Sequence, residues 1–148
     1  MNDGRMVIAT FCDDIRYERG NKHSLMGCYS GELIIDRIPA ILPKLCVQIQ
    51  VVTPLEQPFI LLTLRACLDD EVLGETVLPG DQLLALHQEV LARSHADSTL
   101  MGIHSHMVFA PFVVNQPCTL RVEAETEYGI IKGSRLQIRL RTPDDELS

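Results

Sequence analysis

Apolar positions in this chain recur mostly with a period of two, the mark of half-buried β-strands rather than helices. Residues 44–53 show it plainly. Leu45, Val47, Ile49 and Val51 fall on one face and Gln48 and Gln50 on the other, with Pro43 and Pro54 closing the ends. Residues 59–68 repeat the pattern, with Ile60, Leu62, Leu64, Ala66 and Leu68 predicted inward and Thr63 and Arg65 outward. Asp69-Asp70 then supplies a turn into 71–78. Residues 6–12 are apolar on both alternations, which predicts a strand that is central or buried on both sides. A second strand over 24–36 is interrupted by Gly27 and Gly31, which predict bulges or a bend.

The period changes once. After Pro79-Gly80-Asp81, residues Leu83, Leu84, Leu86, Val90 and Leu91 recur at spacings of three and four. This predicts one helix over about 81–94, with Asp81 as its N-cap, polar 94–98 as its end, and one face over an edge or end of the sheet structure. Alternation then returns, with Met101, Ile103, Met107 and Phe109 inward and His104 and His106 outward. In the last hairpin Cys118, Leu120, Val122 and Ala124 face Leu136, Ile138 and Leu140, while Arg121, Glu123, Glu125, Glu127, Arg135, Arg139 and Arg141 point outward. A loop near Ile131 containing Gly129 and Gly133 would set Glu123 opposite Arg139 and Glu127 opposite Arg135, pairs contributing roughly 0.2–1 kcal/mol each. The acidic tail 143–148 is expected to fray. Seven or eight short strands and one helix predict a mainly β protein: an antiparallel two-sheet β-sandwich of Ig or C2 type, one domain over 1–148.

Composition fits that picture and narrows the partners. At 148 residues the chain can bury about 68–70% of its unfolded surface, so its core needs no disulfide or metal. With four Phe, three Tyr and no Trp, that core must be aliphatic. The net charge of −7 repels phosphate, which makes nucleic acid and anionic membrane poor partners and leaves a basic partner open. Five cysteines, at 12, 28, 46, 67 and 118, are odd in number, lack CxxC spacing and lie in strand-like runs. They read as buried or half-buried free thiols of a reducing cytoplasm. The opening residues 1–5 lack the form of a secretory signal, and no apolar run approaches the roughly 20 residues that span a bilayer. The expected location is cytoplasmic.

The segment Phe11-Cys12-Asp13-Asp14-Ile15-Arg16, followed by Asn21-Lys22-His23-Ser24-Leu25-Met26-Gly27-Cys28-Tyr29 and Leu42-Pro43-Lys44-Leu45, resembles a family of small bacterial and phage proteins classed only as a domain of unknown function. The likeness is concentrated in residues 7–46. It implies a β-sandwich of this length in a prokaryotic or phage setting, and no activity. Asn21-Lys22 stands where the family more typically has Gly-Lys; Asn tolerates positive φ, so the turn is expected to be kept.

Three constellations could carry chemistry. Asp13-Asp14 and Asp69-Asp70-Glu71 sit at predicted strand ends, where clustered carboxylates could hold calcium, which takes six to eight oxygen ligands. Alternating strand directions put the pairs at opposite ends of the sandwich, which favours turns, with Asp13-Asp14 tied to Arg16 or Lys22. His104 and His106, two apart on a strand, share one face about 7 Å apart. They could hold zinc if His87, His95, Cys118 or an aspartate completed the set. Cys12 beside Asp13 could join a histidine as a nucleophile, though an isolated cysteine is more often a core residue. No GxSxG and no Gly-rich phosphate loop occurs, so no catalytic residue or cofactor is predicted. Mildly apolar outward positions, Leu61, Cys67, Val108 and the run 110–114 with Phe112 and Val113, point instead to partner binding or self-association. The expected function is a non-enzymatic protein-interaction or assembly module, acting as a homo-oligomer or as an adaptor, with a Zn- or Ca-binding or hydrolytic domain using His104 and His106 or the acidic turns as the alternative.

Overall fold

The structure, a computed structural model, describes residues 4–93, 95 and 97–147. It confirms a mainly β fold with one helix between strands. The described residues form β1 (Met6–Glu18), β2 (Lys22–Cys28), β3 (Glu32–Ile35), β4 (Ala40–Leu42), β5 (Leu45–Pro54), β6 (Leu62–Leu68), β7 (Glu71–Leu78), α1 (Gly80–Arg93), β8 (Leu100–Phe109), β9 (Phe112–Val114), β10 (Cys118–Thr126) and β11 (Gly129–Leu140). A four-stranded sheet runs β2-β1-β5-β8, a five-stranded sheet runs β3-β11-β10-β6-β7, and β4 pairs with β9.

The alternation of β5 is realised as read. Leu45, Val47, Ile49 and Val51 are fully buried and meet Leu62, Leu64 and Ala66 of β6 and Leu120, Leu136 and Ile138 of β10 and β11. Each such side chain contributes about 1.5–3 kcal/mol through burial, so the aliphatic interior between the sheets is the main source of stability. Ile60 departs from its prediction at 72% exposed, because β6 begins only at Leu62.

Other boundaries moved as well. The predicted strand over 24–36 is two strands in different sheets: β2 pairs with β1, and after Tyr29-Ser30-Gly31 the chain crosses to β3. There β3 runs parallel to β11, so the sheets are not wholly antiparallel. The final hairpin turns at Glu127-Tyr128, not near Ile131. Arg121 lies opposite Arg135 and, beyond a bulge, Glu123 lies opposite Lys132. The turn is set by other partners. The Thr126 hydroxyl accepts from the Tyr128 N–H at 3.1 Å, and Arg5 grips both oxygens of Glu127 at 2.9 and 3.0 Å from beside Phe59 and Tyr128. Arg139 instead reaches Glu32 and Asp145, and Leu140 is 40% exposed. The tail is therefore tied down rather than frayed: Pro143–Leu147 is a short 3₁₀ helix, with Asp145 also accepting from Thr142. The bulge also brings β11 against β1. A Cβ at Gly133 would sit 2.8 Å from a Val7 methyl, while Ala9 N–H reaches the Ser134 hydroxyl at 2.9 Å.

The helix starts at Gly80, so Asp81 lies in its first turn rather than capping it. Its buried face is narrower than the stripe suggested. Leu83 is buried and Leu86 and Val90 are half-buried, but Leu84 and Leu91 are 58% and 50% exposed. His87 Nε2 donates to the Leu55 carbonyl at 3.0 Å and anchors the helix to the loop after β5. The predicted helix end at Ser94 lies outside the described residues.

Candidate functional site

The two outward histidines do share a face, but what covers them comes from elsewhere. β1 pairs with β5 only from Met6↔Val52 to Cys12↔Cys46; residues 14–18 pair with β2 alone. A straight hairpin would carry Tyr17 about 23 Å past the row of Thr10. Yet the Tyr17 hydroxyl shares a hydrogen bond of 3.0 Å with His106 Nδ1, and His106 lies opposite Gln48 in that same row. The β1–β2 hairpin therefore turns back over the outer face of the four-stranded sheet. Ile15 and Leu25 come down on Cys12 and Cys46, which stand on the outward alternation of the sheet but are fully buried. This is a second, small core outside the main one.

Asp13 and Asp14 sit at the bend, inside a continuous strand, and the hairpin turn falls at 19–21. Their expected place in a turn, tied to Arg16 or Lys22, is thus corrected. Asp13 accepts from the Tyr29 hydroxyl at 2.5 Å, and Asp14 accepts from Ile15 N–H at 2.9 Å and from Lys44 at 2.6 Å. The Lys44 hydrogen bond holds the Asp14 carboxyl below its ordinary range; burial, then the Asp13 carboxylate, pushes the Tyr29 phenol up. Gly27 lies on the facing strand at φ 68°, and a Cβ there would collide with the Asp13 carboxylate. Glycine is the residue that meets both demands.

Around His106 the rings of His23 and Tyr17 gather at centroid distances of 4.5 and 5.6 Å, and Tyr17 and His23 are themselves cross-strand neighbours. His106 Nε2 is buried without a hydrogen-bond partner, while His104 is exposed opposite Gln50. Burial, then the neighbouring His23 and His104, holds the His106 pKa below its ordinary value. His106 thus favours its neutral form. Among the described residues no three His, Cys, Asp or Glu side chains are placed to hold a metal ion. His104 and His106 gain no third ligand: His87 is engaged with Leu55, and Cys118 is buried in the other sheet. Asp69 is likewise engaged, accepting from Thr119 N–H at 3.0 Å, and does not meet Asp13 or Asp14. The roles of Tyr17 and His23 were not visible in the sequence, since only the folded-back hairpin brings them to β8.

The interaction candidates separate into buried and exposed. Phe112 is 2% exposed and Cys67 3%, so neither presents an outer apolar surface; Leu61, Val108 and Val113 are 41%, 54% and 42% exposed. Phe112 and Val113 do meet at one place. Where the edge strands β7 and β8 come together, a Cβ at Gly74 would sit 3.2 Å from the Phe109 ring, and beside it opens a groove of about 810 Å³. Leu68, Leu73, Phe109, Phe112 and Val113 form its apolar lining, and the exposed Asp69, Asp70 and Glu71 stand at its rim. Leu61 and Val108 do not line it.

Comparison with family models, curated proteins and solved structures finds no match to this chain. No helix among the described residues is long and apolar enough to cross a membrane.

Proposed function

We propose that this protein is a non-enzymatic interaction module whose β7–β8 groove takes a segment of a partner protein bearing apolar and basic side chains. The observation that carries this reading is the pairing of an apolar lining with a carboxylate rim in one groove at the meeting of two sheet edges. Apolar side chains would leave water against Leu73, Phe109 and Val113, while Lys or Arg would face Asp70 and Glu71. The net charge of −7 would add long-range attraction that salt weakens. Binding of this kind needs no metal, cofactor or reacting side chain.

Backbone NMR of the full chain, titrated with the peptide acetyl-Lys-Lys-Leu-Phe-Lys-amide, tests the reading. Shifts are expected at residues 68–73 and 109–118, weakened by 0.5 M salt and by Val113→Asp. Equal shifts with the Glu counterpart of that peptide, or none at millimolar concentration, would overturn it. Light scattering of the free protein separates a second copy of this chain from a foreign partner: a dimer that Val113→Asp dissociates would assign the groove to self-association instead.

A further inference from the structure

Three of the five cysteines stand side by side across three strands. Cys12 of β1 lies opposite Cys28 of β2 on one side and Cys46 of β5 on the other. The hydrogen bonds distinguish the two neighbours. Ala9 N–H points away from β5, to Ser134, and the Phe11 carbonyl accepts from Tyr29 N–H at 2.8 Å on the β2 side. Backbone groups alternate sides along a strand, so those of Cys12 point toward β5. Cys12 and Cys28 are therefore a non-hydrogen-bonded pair, with Cα atoms about 4.5 Å apart, and Cys12 and Cys46 a hydrogen-bonded pair at about 5.5 Å. Both separations suit a disulfide in principle, and side chains approach more closely in the first. The two sulfurs also lean the same way along the hairpin: Cys12 Sγ donates to the Asp14 carbonyl at 3.4 Å, and Cys28 Sγ points to the Leu25 carbonyl at 4.0 Å.

Access separates the three thiols as well. Cys28 is exposed, whereas Cys12 and Cys46 are buried beneath Ile15 and Leu25. Cys67 and Cys118 of the five-stranded sheet lie opposite Arg121 and Ile138, with no cysteine across from them. We infer that Cys28 and Cys12 are an oxidisable thiol pair, in which an exposed thiol meets a peroxide and its buried cross-strand neighbour resolves it to a disulfide.

The step balances. The Cys28 thiolate attacks one oxygen of hydrogen peroxide; the O–O bond breaks, the sulfur is oxidised by two electrons to a sulfenic acid, and the leaving hydroxide takes the thiol proton as water. Cys12 sulfur then attacks Cys28 sulfur; the S–S bond forms, the S–O bond breaks, and hydroxide leaves with the Cys12 proton as a second water. Two thiols and one peroxide become one disulfide and two waters. Burial, then the adjacent Cys46 and Cys28 thiols, pushes the Cys12 thiol up to about 11. The resolving step therefore quickens as pH rises through and above neutral, by up to about tenfold per unit. The closed loop would clamp the base of the folded-back hairpin.

The test treats the full chain with hydrogen peroxide, counts thiols in denaturant, and maps disulfides by mass spectrometry without reduction. The expected result is a loss of two thiols of five, a Cys12–Cys28 crosslink, and a Tm raised by about 5–10 °C, reversed by a thiol reductant. Cys46→Ser should keep the crosslink. Cys28→Ser changes an exposed residue, leaves the fold intact and should abolish both the crosslink and the rise in Tm. A Cys12–Cys46 crosslink, or Cys28 halting as sulfenic or sulfinic acid with Cys12 free even at pH 9, would overturn the inference.

Discussion

The two sheets present outer faces that alternate alike and are treated in opposite ways. On the five-stranded sheet Arg65 reaches Glu75 and Glu125 at 2.7 Å and Glu123 at 3.4 Å, and Arg121 reaches Glu123 at 2.5 Å. Hydrogen bonds to Glu125 and Glu75 raise the Arg65 pKa further, so the guanidinium stays charged throughout. On the four-stranded sheet the central outward residues are Thr10, Gln48, Gln50, His104 and His106, none permanently charged, and the chain's own hairpin lands there. The difference teaches that alternation tells which side of a sheet faces away from the core, and charge decides whether that side stays wet. Covering a lattice of ion pairs would strip charges of water at a cost of several kcal/mol each, whereas covering Gln, Thr and neutral His costs far less.

The comparison breaks most sharply at the bend. Gly27→Val forces an L-residue into positive φ and drives a side chain into Asp13, and should destabilise by about 2–4 kcal/mol in denaturant unfolding. A loss under about 1 kcal/mol would show that the hairpin folds back without it. Next, Ile15→Ala should cost about 2–3 kcal/mol and make Cys12 and Cys46 reactive to a maleimide, while Val77→Ala on the wet sheet should stay within about 0.5 kcal/mol. Similar losses at the two sites would erase the distinction between the covered and the wet face. On that wet face, Arg65→Ala should cost about 1 kcal/mol or less and shrink in 1 M salt; an undiminished loss would argue for packing rather than charge.

The smallest effect is in pH. A His pKa lowered on folding means that the native state binds fewer protons than the unfolded one. Stability from His106 is then full above the unfolded value of about 6.5 and declines as pH falls through it toward the lower folded value. Between pH 7.5 and 5.5, the opening constant of residues 13–28, taken from amide exchange corrected for its intrinsic pH dependence, should rise by less than about tenfold, and His106→Gln should flatten that rise. A similar rise in β6 or β10 would place the proton uptake elsewhere.

Much of this was legible in the chain. The buried rows of β5, β6 and β10 follow from period-two alternation, and the helix from a change of period. The acidic groove was half legible: Asp69-Asp70 stood out as a turn and Val113 as an outward apolar residue, but nothing in their spacing joins residues more than forty positions apart. Phe112 was misplaced because the short strand β9 puts its alternate residues into the core. The 24–36 strand was misread because a glycine-broken run does not say whether it bends within one sheet or leaves for another. The register of the last hairpin was misread because charge pairing was weighed on two strands alone. Of the partners that settled it, Arg5 and Glu32 lie far off in sequence, and Asp145 lies on the segment just past the hairpin.

By itself, then, the sequence determined what local periodicity and composition can: a mainly β chain with one helix, an aliphatic interior, an acidic surface, and thiols placed in strands. Those properties depend on each residue and its near neighbours. Tertiary structure alone decided that the hairpin after Cys12 turns back, that Tyr17 and His23 meet His106, that Cys12 faces Cys28, and that two sheet edges enclose a groove. Each of these depends on contacts between strands whose pairing and twist are set by the whole fold.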